Sequence, residues 1–158
     1  MADAAEDFWR FSLALYAAPG VARACLALQD EAGRDVNLLL YCGWVGASGR
    51  GRLDQAAIAA ADARLAPWRQ GVVEPLRAAR RALKGVAGAE MLYAAVKAVE
   101  LDAERQAQRL LAALAPAPAG RSRTERQEDG AANLLAYAGT AAAAAAPLIA
   151  ALAAAEEG

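Results

Sequence analysis

The chain has 158 residues, no histidine, two cysteines and a formal net charge of −1, and 58% of its residues are hydrophobic. That length is one ordinary domain, able to bury a core without disulfide or metal staples. The missing imidazole removes the usual base of serine and cysteine nucleophiles and a favoured metal ligand, and the near-neutral, slightly acidic balance argues against nucleic acid or an anionic membrane as partner.

Alanine is the commonest residue. It is the best intrinsic helix former and a poor source of buried area, so the composition predicts closely packed helices and no sheet. A first helix is expected from about Ala4 to Ala17, capped by Asp3, with Phe8, Phe11, Ser12 and Leu15 on one face and Trp9, Leu13 and Tyr16 widening it. Pro19-Gly20 ends it. A second runs from about Val21 to Glu31 and stops at Gly33, with Val21, Ala24, Cys25 and Leu28 inward. A third runs from about Val36 to Ala47 behind an Asp35 N-cap. Leu38 to Val45 is apolar on nearly every side, which marks a central helix, and the run is too short to span a bilayer.

Asp54 caps the next run. Ile58, Ala61, Leu65, Trp68, Val72, Leu76, Ala79 and Leu83 recur at helical steps through Pro67 and Pro75. Two helices or one bent one are expected, with Pro67 near the start of the second piece and Gly71 easing the bend against Pro75. A further helix, about Ala89 to Leu114, should bury Leu92, Val96, Val99, Ala103 and Leu110. Residues 115–122 form a stiff connector. The last helix or pair starts near Arg123 and is broken or kinked at Pro147. The stretch Gly130 to Ala155 is uncharged, but it is alanine-rich and carries Asn133, Thr140 and Pro147, so a buried closing helix is expected in place of a membrane span.

The fold expected is an all-α, single-domain bundle of five to seven helices around the apolar helix at about 36–47. Residues 1–3 and 156–158 are expected to fray. The acidic opening Met1–Glu6 lacks the basic stretch and apolar core of a secretory signal, so a cytoplasmic protein without disulfides is expected.

Four constellations bear on function. Gln29, Asp30, Asp35 and Asn37 flank the most buried helix, either as polar groups of a pocket or as caps and first-turn residues. Glu100 and Glu104 share a helix face. Without a Glu-x-x-His partner they predict a salt-bridged face, not a metal site. Arg77, Arg80, Arg81 and Lys84 lie on overlapping faces of one helix. They would serve a phosphate, nucleic-acid or acidic protein partner, or pair with Glu74, Glu100 or Glu104 inside the fold. The aromatic set Phe8, Trp9, Phe11, Tyr16, Tyr41, Trp44, Trp68 and Tyr93 belongs to the core, or in part to a cavity.

Phe8-Trp9-Arg10-Phe11-Ser12, Leu28-Gln29-Asp30 and Asp35-Val36-Asn37-Leu38-Leu39-Leu40 occur in order. Pro75-Leu76-Arg77, Arg80-Arg81, Leu92-Tyr93 and Glu100-Leu101 follow. Together they resemble a small family of proteobacterial helical proteins known as a domain of unknown function, over about Phe8 to Tyr137. The resemblance implies a bacterial, cytoplasmic protein and supplies no activity.

The leading expectation is a non-catalytic interaction or adaptor protein, with no catalytic residues, metal or cofactor, and with the arginine row facing an acidic partner. The alternative is a small-molecule binder or enzyme with a pocket among the first, third and 89–114 helices, using Asp35, Asn37 and Glu100. A third is weak nucleic-acid or phosphate binding through Arg77, Arg80, Arg81 and Lys84. A homodimer through the alanine-rich C-terminal region is a further expectation.

Overall fold

The computed structural model describes residues 3–155. The fraying expected of 1, 2 and 156–158 lies outside the described residues, whereas Asp3 is described and acts as a cap. Three aspartates start three helices. Asp3 accepts from the Ala5 N–H at 3.2 Å and opens α1 (Ala4–Ala17). Asp35 accepts from Leu38 at 3.0 Å and opens α3 (Val36–Ala47). Asp54 accepts from Ala57 at 2.7 Å and opens α4 (Gln55–Trp68). Each satisfies an amide that the helix itself leaves unbonded. Between α1 and α3 lies α2 (Val21–Ala32), which meets α1 at 98°. It ends at Gly33 with φ +63°, and the next amide, Arg34, reaches back to the Leu28 carbonyl at 3.0 Å. A side chain would strain that left-handed cap.

α3 is the axis of the fold. Every residue from Asn37 to Gly46 is buried. Phe8 of α1 stacks on Trp44 with centroids 5.0 Å apart and meets Tyr41 edge-on at 6.0 Å. Leu28, Leu111, Leu134 and Leu148 close the same core from four other helices, each contributing about 1.5–3 kcal/mol of burial.

The closest neighbour of α3 is α7 (Arg123–Ala138), which begins with a Ser122–Glu125 capping box. The two helices cross at Gly46 and Gly130. A Cβ on Gly46 would stand 2.1 Å from the Gly130 nitrogen, so only glycine permits the approach. α7 also anchors the loop after α3. Asn133 accepts from the Leu53 N–H at 2.8 Å and donates to the Gly51 carbonyl at 3.1 Å, while Asp129 holds Arg52 at 2.9 Å. The expected break at Pro147 lies earlier, in a 3-10 segment, Gly139–Ala145, that kinks at Ala141. Pro147 sits in the first turn of α8 (Ala146–Ala154), where its missing N–H costs nothing. By length and composition Arg123–Ala154 is apolar enough to cross a membrane. Its inner residues Leu134, Ala138, Ala145, Leu148 and Leu152 belong to the core of the bundle.

After α4 the chain takes one π turn, Arg69–Val73, then α5 (Glu74–Leu83) and α6 (Glu90–Ala112). Pro67 lies inside α4, so the break expected there is displaced to the π turn. Pro75, in the first turn of α5, is the cause: its ring crowds the carbonyl four residues back, on Gly71, and the wider turn absorbs the clash. The extra residue shifts the register by one, so Val73 is buried where the periodicity predicted Val72.

The expected stripe on α6 is also corrected. Ala103 is buried, but Leu92 is 56% and Val99 53% exposed, and Val96 and Leu110 are half-buried. At 23 residues, about 35 Å at 1.5 Å per residue, α6 outruns the bundle. Its first half pairs with α5 as a projecting hairpin, and α5 buries no residue.

Candidate ligand-binding cleft

Where this hairpin leaves the bundle it opens a cleft of about 290 Å3 against α1, α2 and α3. A chain of polar side chains crosses its floor. Ser12 of α1 donates to the side-chain oxygen (Oε1) of Gln108 on α6 at 3.0 Å, and the Gln108 side-chain nitrogen donates to the Asn37 side-chain oxygen of α3 at 3.2 Å. Asn37 donates in turn to Glu104, one turn before Gln108 on α6. The other Glu104 oxygen accepts from Arg77 of α5, at 2.5 Å from Nη2 and 3.1 Å from Nε, and the remaining Arg77 nitrogen donates to Gln29 of α2 at 3.2 Å. Ser12, Asn37 and Gln108 are buried. A buried amide without partners costs about 1–3 kcal/mol, and mutual bonding removes that penalty here.

Above this floor the walls turn apolar. Trp9, Leu13 and Tyr16 come from α1, Leu26 from α2, and Leu101 from α6. Leu13, Leu26 and Leu101 are 53%, 49% and 55% exposed. The face of α1 expected to widen the core instead forms one side of the cleft. Burial, with the fields of Cys25 and Glu104, raises the Tyr16 phenol above its ordinary value of 10.0, against an opposing pull from Arg77. A phenol is protonated at neutral pH with or without that shift, so its hydroxyl can donate.

Of the residues singled out in the sequence, Asn37 and Glu100 line this cleft together with Arg77, Arg80 and Arg81. The structure thus merges two constellations that the sequence left separate. Arg80 pairs with Glu100, a hydrogen bond that raises the arginine pKa and outweighs its partial desolvation. Arg77 pairs with Glu104. Arg81 lines the cleft and is exposed, with no ion pair among the described residues. Lys84 is the exposed C-cap of α5 and stands outside the cleft.

Asp35 is not part of this floor. Its side chain caps α3, its other oxygen lies 3.5 Å from Arg69, and its own N–H donates to the Tyr137 hydroxyl at 2.8 Å. It faces a second, polar recess shared with Arg34, Asp62, Arg69 and Tyr137. There burial opposes the Arg69 charge, but the Asp62 hydrogen bond at 2.8 Å and the fields of both aspartates raise its pKa. Of the aromatic set, Phe8, Tyr41 and Trp44 are core, while Trp9 and Tyr16 line the cleft. Trp68 is half-buried and donates to the Ala103 carbonyl at 2.9 Å.

Ser12 and Gln108 were not predicted as site residues. Gln108 extends the Glu100–Glu104 row by one more step of four, so the helical spacing did carry it. Among the described residues no set of Cys, Asp and Glu is arranged to ligate a metal.

The model of the family described as "Protein of unknown function (DUF2390)" matches residues 7–111. The chain belongs to this family. The match covers α1 through almost all of α6, and so every helix that lines the cleft. No curated protein matches the chain significantly, and neither does any solved structure.

Proposed function

We propose that this member of the family is a non-catalytic binding protein that takes a small amphipathic ligand in the cleft between α1–α3 and the α5–α6 hairpin. The observation that carries it is the pairing of a bonded polar floor, Ser12–Gln108–Asn37–Glu104, with leucines left exposed around one mouth. A polar floor fixes orientation, and apolar walls supply burial. The arginine row as a free surface for nucleic acid or an acidic partner has less support, because Arg77 and Arg80 already face Glu104 and Glu100. A bacterial, cytoplasmic setting without membrane contact belongs to the same proposal, on the strength of the sequence resemblance.

A protein-partner reading keeps one specific observation. Val86, Met91, Leu92 and Val99 stand exposed on the hairpin, Met91 at 89%. An adaptor would use that end.

The test is a fragment screen by amide NMR, with acids, amines and neutral amphiphiles. Binders should move the amides of 12–16, 26–40 and 100–108 as one cluster. A screen in which the moving amides scatter, or gather around α7 and α8, sinks the cleft.

A further inference from the structure

The charges lining the cleft are three arginines, Arg77, Arg80 and Arg81, against two glutamates, Glu100 and Glu104. Two of the arginines are matched, each by its own glutamate across the hairpin. Arg81 is left over. It follows Arg77 by one helical turn and lines the same cleft. The chain as a whole carries −1, so the cleft reverses the sign of the molecule locally. Arg81 is exposed, so its pull on an anion is modest and weakens with added salt.

Apolar exposure around the opening is the second observation. Single exposed leucines are ordinary on a protein surface. Leu13, Leu26 and Leu101 come from three different helices and share one cleft. Tyr16 adds a hydroxyl to the same wall.

We propose that the ligand of this cleft is an organic anion with an apolar body, such as a carboxylate on a hydrocarbon chain or ring. Its charged group sits against Arg81, and its body lies along Leu13, Leu26 and Leu101. The inference rests on the cleft being a binding site and adds the charge and class of what it binds. Glu100 and Glu104 hold Arg80 and Arg77 in place, which leaves Arg81 to set the preference. A cationic amphiphile meets the unmatched arginine and is rejected. A neutral one gains only the apolar contact.

Octanoate, octan-1-ol and octylammonium share one chain and differ in charge. Their affinities are to be measured below micelle formation by amide NMR titration, with the wild-type chain and with Arg81→Gln. Arg81 is exposed, so the variant should fold as the wild type does, and its unchanged spectrum away from the cleft verifies that. Octanoate is expected to bind about threefold more tightly than octanol, octylammonium least. In Arg81→Gln the advantage of octanoate should fall away while octanol affinity stays the same, and in the wild type it should shrink with added salt. Equal binding of octanoate and octanol, or a preference that survives in Arg81→Gln, overturns the anion assignment and leaves the cleft standing. If none of the three moves the amides of 12–16 and 100–108, the cleft reading fails and this inference with it.

Discussion

Gly46 shows how much one missing methyl group decides. Its Cβ would lie 2.1 Å from the Gly130 nitrogen and 2.5 Å from the Asp129 carbonyl carbon. Both are backbone, which cannot rotate away as a side chain can. Gly43, one turn earlier on the same helix, would place its Cβ at ordinary contact, 3.7 Å from Leu134, Leu152 and Phe11. Gly46→Ala is therefore expected to destabilise by about 3 kcal/mol or more, at the upper end of what single substitutions do. Gly43→Ala should stay within about 1 kcal/mol. Urea denaturation of both variants checks this, and similar midpoints for the two would refute the crossing. Asp35 teaches a different lesson at the same scale. From sequence the N-cap was the preferred reading and a pocket residue the alternative. The carboxylate caps its own helix and faces the second recess beside Arg69, while Asn37, two residues on, faces the floor of the cleft.

At the scale of elements, the helix starts were legible because an N-cap is local chemistry. A carboxylate at Asp3, Asp35 or Asp54 bonds an amide within three residues, whatever the rest of the chain does. The Ser122–Glu125 box rests on the same local chemistry, a Ser-x-x-Glu spacing that the sequence reading passed over. Which face of α6 is covered was not legible. Leu92, Val96, Val99 and Ala103 follow one stripe, yet the stripe is buried only where α4 and the bundle reach it. Periodicity reports a face that could be covered, not how far the covering helices extend. Leu92→Glu and Val99→Glu together should thus change folding stability by no more than about 0.5 kcal/mol each, as exposed positions do. Urea denaturation and light scattering measure the effect. A large loss, or a fall in molecular mass from dimer to monomer, would show that a second copy covers this face in solution.

At the scale of the whole molecule, burial gives the core an alkaline limit. Desolvation pushes the Cys25 thiol from 9.0 to about 11 and the Cys42 thiol to about 12. Tyr41 and Tyr137 are likewise raised, chiefly by burial, to about 12. The unfolded chain releases these protons near their ordinary values, whereas the folded chain holds them. Above about pH 9 the unfolded state therefore binds fewer protons, and stability falls as pH rises. Below that range the contribution of these groups is complete. Urea midpoints should be lower at about pH 10.5 than at about pH 8, and the thiols should resist alkylation until the chain unfolds. A midpoint that does not move, or rapid labelling of the folded protein, contradicts the buried placement.

The sequence by itself determined the helical class, the aspartate caps, the central place of α3 and the grouping of the arginines on one helix and of Glu100 and Glu104 on another. Those follow from local bonding and from hydrophobic period, which act over a few residues. Only the tertiary structure decided that Arg77 answers Glu104 and Arg80 answers Glu100, that Arg81 is left unmatched, and that Ser12, Asn37 and Gln108 meet in one line. Those pairings join residues up to 96 positions apart. They depend on how α5 and α6 turn after Pro75 and how closely α3 and α7 approach at Gly46, and no local pattern encodes either.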